Sequence, residues 1–229
     1  SWPRGVQRYW VGPEFWANRL QDWRIADGRL ECVTGSPNKP MRTVHILTRR
    51  LSHGTGRLEM SVRTGLIEQL TVDSPGAAAG FLIGAAPDVD YRAAALVHHS
   101  SGPGAGLFAG IDRNGFLFIR DFGRNKPIDL VRSDRGAMLL ADVKLTLTVR
   151  PDAEGYTLVL ADSSGRNGFN LDSVSLHGVQ PERLVGSMAL VSHPGTGVGR
   201  FWFRDWTISG SKLEVHPERL CGPIISTQY

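Results

Sequence analysis

The stretch Val143-Lys144-Leu145-Thr146-Leu147-Thr148-Val149-Arg150 decides the fold class. Its odd positions are apolar and its even positions polar. Successive side chains of an extended chain point to opposite faces, so this period predicts a strand with one face on a core and one in water. Asp152-Ala153-Glu154-Gly155 is a turn by composition, and Tyr156 to Ala161 extends again, which predicts a hairpin. Working outward, Leu58, Met60 and Val62 share one face of a second half-buried strand. Ala79 to Ala85 is apolar throughout and predicts a central strand covered on both faces. Asn114-Gly115, inside Asp112-Arg113-Asn114-Gly115, predicts a tight hairpin between Gly106–Ile111 and Phe116–Phe122. Asp27-Gly28 turns the chain between two further extended pieces, and Val44–Thr48, Tyr91–His99, Met188–Ser192 and Arg200–Ser209 continue the series. Only Pro181 to Val185 reads as a helical turn, with Pro181 at its first position.

About a dozen short strands separated by turns predict an all-β fold, a two-sheet antiparallel jelly-roll sandwich. The 229 residues, with 27 Gly and 13 Pro, form one domain over 1–229 with no internal repeat. Its first 25 residues hold four of the six tryptophans, and residues 210–229 read as a C-terminal extension.

Hydrophobic residues make up 41% and charged residues 21%, which excludes collagen, coiled-coil and low-complexity chains. The net charge is +4, and Arg supplies 22 of the 26 basic residues. Residues 1–60 carry ten basic and five acidic side chains, so the excess sits near the N-terminus. Such an excess suits an anionic glycan or a phosphate-bearing polymer; a mixed solvated surface has the same composition. Without a recognised nucleic-acid motif, this basicity does not point to DNA or RNA. The longest apolar run, Gly76 to Pro87, is too short to span a bilayer. Cys32 and Cys221 form no C-x-x-C pair. Either Cys32 is a buried thiol, or the two join the ends of the chain as a disulfide in an oxidising compartment.

Four stretches together resemble a concanavalin A-like lectin/glucanase jelly roll of the laminin-G-like kind. They are a Gly-Arg-Leu-Glu strand, Ala79-Gly80-Phe81-Leu82-Ile83-Gly84, Leu107-Phe108-Ala109-Gly110-Ile111-Asp112, and Phe201-Trp202-Phe203-Arg204-Asp205-Trp206-Thr207-Ile208-Ser209-Gly210. The two ends, Tyr9-Trp10-Val11-Gly12-Pro13-Glu14-Phe15-Trp16-Ala17-Asn18 and Gly222-Pro223-Ile224-Ile225-Ser226-Thr227-Gln228-Tyr229, are similar to the N-terminal region of bacterial PhoD-like (alkaline phosphatase D) metallophosphoesterases. This resemblance implies an exported, periplasmic or extracellular accessory domain, which binds a ligand or packs on a phosphatase domain that would follow it. The chain itself holds no D-x-H, G-D-x-x-D or G-N-H-[DE] metal motif of that family.

The candidate ligand-binding residues are Tyr91, Arg92, His99, Arg120, Trp202 and Arg204. Trp202, Arg204 and Trp206 fall on one face of a regular last strand, and aromatic rings stack on sugar CH groups while Arg donates to hydroxyls; the two tryptophans suit a core equally well. Tyr91, His99 and Arg120 carry the groups a polysaccharide lyase needs, which keeps a free-standing lyase or glycoside hydrolase as the alternative, although no paired-carboxylate strand signature is present. Asp88, Asp90 and Asp112 offer hard oxygen ligands for Ca²⁺, the one cofactor the sequence suggests; turn-forming aspartates account for the same residues.

Overall fold

A computed structural model of the chain describes residues 2–38, 41–67, 75–86, 101–134, 136, 141–164 and 172–220. Two large antiparallel sheets face each other. The eight-stranded sheet runs, in spatial order, β1 (Gln7–Arg8), β3 (Trp23–Ala26), β4 (Arg29–Cys32), β16 (Phe201–Ser209), β7 (Leu58–Leu66), β12 (Val143–Asp152), β13 (Gly155–Asp162) and β14 (Ser173–Val179). The seven-stranded sheet runs β11 (Ile128–Arg132), β10 (Leu117–Asp121), β9 (Leu107–Asp112), β8 (Ala77–Ala85), β15 (Ser187–Pro194), β5 (Arg42–Ile46) and β2 (Phe15–Ala17). A third, two-stranded sheet pairs β17 (Leu213–Val215) with β6 (Arg49–Leu51).

The alternation of β12 works as the sequence predicts. Leu147 stands opposite Met60 of β7 and Leu160 of β13, and all three point into the space between the sheets. The opposing sheet contributes Phe81, Ile83, Ile111, Leu117 and Leu190 to the same core. Each such side chain contributes about 1.5–3 kcal/mol on full burial, which makes this face the main source of stability. Strand β8 is fourth of seven and buried at every residue. Its outward Ala78 and Leu82 join Phe108, Phe118, Phe122, Ala189 and Val191 in a second apolar cluster, so the strand is covered on both faces. Phe108 meets Phe118 edge to face at 5.0 Å.

All three turn signals are hairpins. Asp27 and Gly28, at φ 54° and 77°, connect β3 to β4 with both central residues left-handed, the geometry that follows strand twist. Asp152 pairs with Gly155, and Asp112 closes the β9–β10 turn by accepting the amides of Asn114 at 2.8 Å and Phe116 at 3.1 Å. The helical turn is a 3-10 helix at Pro181–Leu184. Among the described residues there are seventeen strands rather than a dozen. The surplus includes β1, β2, β6 and β17, which at two or three residues are too short for alternation to show.

Two further expectations meet the structure here. Cys32 is a free, fully buried thiol, as the first of the two cysteine readings has it; Cys221 lies outside the described residues. Burial pushes the Cys32 thiol up to about 11, against the opposing effects of a Ser192 hydrogen bond and the Arg42 charge. The last strand is not regular. Its register with β7 shifts between Arg204 and Thr207, with Asp205 at φ 54°. This bulge breaks the expected Trp202–Arg204–Trp206 face. Trp206 turns inward, stacking on Phe15 at 5.9 Å, while Trp202 and Arg204 stay on the outer face.

Candidate functional site

A groove of about 940 Å³ lies at the β3–β4 hairpin end of the eight-stranded sheet, at the upper end of the ~300–1,000 Å³ range of small-molecule sites. Residues 2–4, 26–29, Glu31, and Arg204 with Asp205 line it. Each segment is held by its own local chemistry. The Trp2 indole donates to the Val11 carbonyl at 3.2 Å, and the Gly28 amide donates to the Pro3 carbonyl at 3.1 Å, fixing the N-terminal residues against the hairpin. In β4, Leu30 and Cys32 point inward, so Arg29 and Glu31 point outward. Trp202 stands opposite Glu31 and Phe203 opposite Leu30, and one further step of this antiparallel register brings Arg204 beside Arg29.

Trp202 is the floor of this arrangement. It is 3% exposed, because the Arg29 guanidinium lies 4.5 Å from its ring and that of Arg204 5.5 Å. It therefore offers no open ring to a sugar, which corrects the stacking-platform expectation. Its role is to hold two guanidiniums by cation–π attraction, about 0.5–2 kcal/mol each. The outer face around it is a network of opposite charges. Arg24 donates to its cross-strand partner Glu31 at 2.7 Å. Arg63 and Arg204 are also cross-strand partners, and Asp142 offsets their repulsion by accepting from both, at 2.9 and 2.7 Å. The same hydrogen bond raises the pKa of Arg63. The guanidiniums of Arg29 and Arg4 make no hydrogen bond or ion pair with the described residues. Asp205 is 62% exposed at its bulge, 3.9 Å from Arg204 Nε. The groove thus presents fixed N–H donors beside carboxylate acceptors.

The other sequence candidates lie elsewhere. Arg120 is on the outer face of the seven-stranded sheet, over the Phe118 ring at 4.5 Å and bonded to Asp129 at 2.5 Å. The body of the sandwich separates it from Trp202 and Arg204, so the three form no common site. Near Arg120 stands His193, whose pKa is pushed down to about 4, first by burial and then by the Arg120 charge. Its Nδ1 accepts the Gly195 amide at 3.1 Å, which places the remaining ring proton on Nε2. Asp112 gives one carboxylate oxygen to two turn amides and the other to Arg132. Arg132 supplies the positive charge there, so Asp112 does not fit a calcium site. Tyr91, Arg92, His99, Asp88 and Asp90 lie outside the described residues. No group of three or more His, Cys, Asp or Glu among the described residues is arranged to hold a metal ion. Sequence reading missed Arg4, Asp27, Arg29, Glu31 and Asp205. The alternation Arg29-Leu30-Glu31-Cys32 marks two of them as outward-facing; Asp27 falls in the hairpin turn, the Gly28–Pro3 hydrogen bond brings Arg4 alongside, and the adjacency of β4 and β16 brings Asp205.

Among solved structures, arcelin-5, a lectin-like defense protein from Phaseolus vulgaris, superposes with a TM-score of 0.58 at 12% identity, covering 88% of this chain and 94% of that one. The carbohydrate-binding module CBM66 from Bacillus subtilis gives 0.53 at 10% identity, covering 87% and 97%. A lectin from Bauhinia forficata, in complex with GalNAc, gives 0.57 at 12% identity, covering 88% and 93%. The fold is a concanavalin A-like jelly roll. At these identities the likeness concerns the fold. No family model and no curated protein matches the chain. No helix among the described residues is long and apolar enough to cross a membrane.

Proposed function

We propose that this chain is a carbohydrate-binding domain and that the groove over Trp202 is its glycan site. The observation that carries the reading is the juxtaposition of the Arg29 and Arg4 guanidiniums, which pair with no described residue, and exposed carboxylates around one pre-ordered floor. Sugar hydroxyls both donate and accept, so a wall offering N–H donors next to carboxylate acceptors suits a hydroxyl-dense ligand better than an apolar one. Side chains already held by stacking and ion pairs lose little freedom on binding, which favours affinity. The shared fold of lectins and a carbohydrate-binding module supports the same reading by analogy.

Calorimetry against a polysaccharide and oligosaccharide panel tests it. Binding by the native chain, weakened at least about tenfold in the double variant Asp27→Ala/Asp205→Ala, is the expected result, since losing charge-assisted bonds costs about 1.5–3 kcal/mol. Absence of binding across the panel overturns the glycan reading, and unchanged binding by the double variant removes the groove from it.

The finer part of the proposal concerns context. The similarity of both ends to PhoD-like metallophosphoesterases supports an exported accessory domain that holds a phosphatase domain near a polymeric substrate and raises its effective concentration. Intact-mass measurement of the native gene product decides this: a mass well above that of these 229 residues is expected, and a mass equal to theirs removes the phosphatase context.

A further inference from the structure

The lining of the groove is balanced in sign: Arg4, Arg29 and Arg204 against Asp27, Glu31 and Asp205. The balance does not extend to where those charges are held or to what engages them. Glu31 is engaged by Arg24 at 2.7 Å, and Arg204 by Asp142 at 2.7 Å. Asp205 lies at ion-pair distance, 3.9 Å, from Arg204 Nε. Four charges make no hydrogen bond with the described residues. Two are carboxylates on exposed corners: Asp27 in the hairpin turn and Asp205 at the bulge. Both are exposed to water, where a charge is more strongly screened than in a buried site. The other two are Arg4 and Arg29. Arg29 is half-buried, with its guanidinium carbon 4.5 Å from the centre of a buried indole, and its guanidinium meets no carboxylate among the described residues.

The unengaged charge beside the floor is therefore positive, and the carboxylates at the rim are exposed acceptors. The N–H groups of the Arg29 guanidinium are bonded to nothing among the described residues, and their planar fork matches the two oxygens of a carboxylate. Arg4 stands nearby: its Cγ packs over the Gly28 backbone of the same hairpin.

We infer that the groove selects acidic saccharides, with a uronate carboxylate seated on Arg29 and the ring hydroxyls donating to Asp27 and Asp205. The inference rests on the glycan reading above and adds the ligand class. It assigns Arg29 the role of specificity-determining residue and Trp202 that of positioning residue, since the indole touches the guanidinium rather than the ligand.

The test compares one acidic oligosaccharide, tetragalacturonate, with its carboxyl-reduced neutral counterpart and with a glycerol phosphate oligomer of equal charge, by calorimetry on the full chain at two salt concentrations. The expected result is at least tenfold tighter binding of the uronate than of the reduced sugar, with affinity falling as salt rises. Arg29→Met should erase that preference, lowering uronate affinity at least about tenfold more than the affinity for the neutral sugar. Arg29→Lys, which keeps the charge but loses the planar fork, should retain only part of it. Trp202→Leu should lower uronate affinity as Arg29→Met does, and thermal denaturation of both variants keeps a folding defect from passing as lost binding. Equal affinity for the acidic and reduced sugars, or a preference unaffected by Arg29→Met, overturns the inference while the glycan reading stands. Tighter binding of the phosphate oligomer overturns it in favour of a phosphate-bearing polymer. Binding of none of the three, in a chain that binds other neutral glycans, overturns it as well; binding of no sugar at all removes the glycan reading with it.

Discussion

His193 shows how a single side chain reports its surroundings. It lies on the outer face of the seven-stranded sheet, half-buried, with Arg120 close enough to act on it. Burial and that neighbouring cation both disfavour imidazolium, so the ring stays neutral down to about pH 4 in the fold and to about 6.5 in the unfolded chain. Between those values the unfolded chain binds more protons. The stabilisation is therefore complete above about pH 6.5 and is lost as pH falls from there toward 4. The difference corresponds to up to about 3 kcal/mol. Urea denaturation across pH 4–7 should show stability falling on the acid side. His193→Asn, which can still accept the Gly195 amide, should flatten that fall; an unchanged slope in the variant would assign it to other groups.

Strand β8 makes the corresponding point for an element. Its apolar run predicts burial on both faces, and both are buried, yet the run also hides a requirement that only the sheet reveals. A Cβ on Gly80 would sit 2.2 Å from the Ala109 carbonyl oxygen and 2.5 Å from the Gly110 Cα. Backbone cannot give way as a side-chain tip can, so Gly80→Ala must open the β8–β9 pair. The loss should exceed about 2 kcal/mol, read as a lower denaturation midpoint. A cost below ~1 kcal/mol would mean the two strands can separate cheaply. Composition and alternation made β7, β8, β12 and the hairpins legible because their information is local: a period, a turn pair, a run. The β16 bulge was not legible. Trp202 and Trp206 have the spacing of one face, and only the left-handed Asp205 sends them to opposite sides. Arg29 stayed hidden for a related reason, since its meaning comes from lying over Trp202, 173 positions further along the chain.

At the scale of the whole molecule, a sandwich has two outer faces, and the strands divide the charged residues between them. Arg120 belongs to one face and Arg204 to the other, so residues that read as one constellation in the sequence act on different surfaces. Each is locked into its own pairing, Arg120 with Asp129 and Arg204 with Asp142. Substitutions that share no partner and lie far apart contribute independently. For a glycan held in the groove, Arg204→Met removes a lining residue and one of the two cations over Trp202 and should weaken affinity about tenfold or more, whereas Arg120→Met should leave it within about twofold. The double variant should equal Arg204→Met alone. An effect of Arg120→Met as large as that of Arg204→Met would move the binding surface to the seven-stranded sheet, because a rigid two-layer core gives the two faces no shared contact through which one guanidinium could stand in for the other.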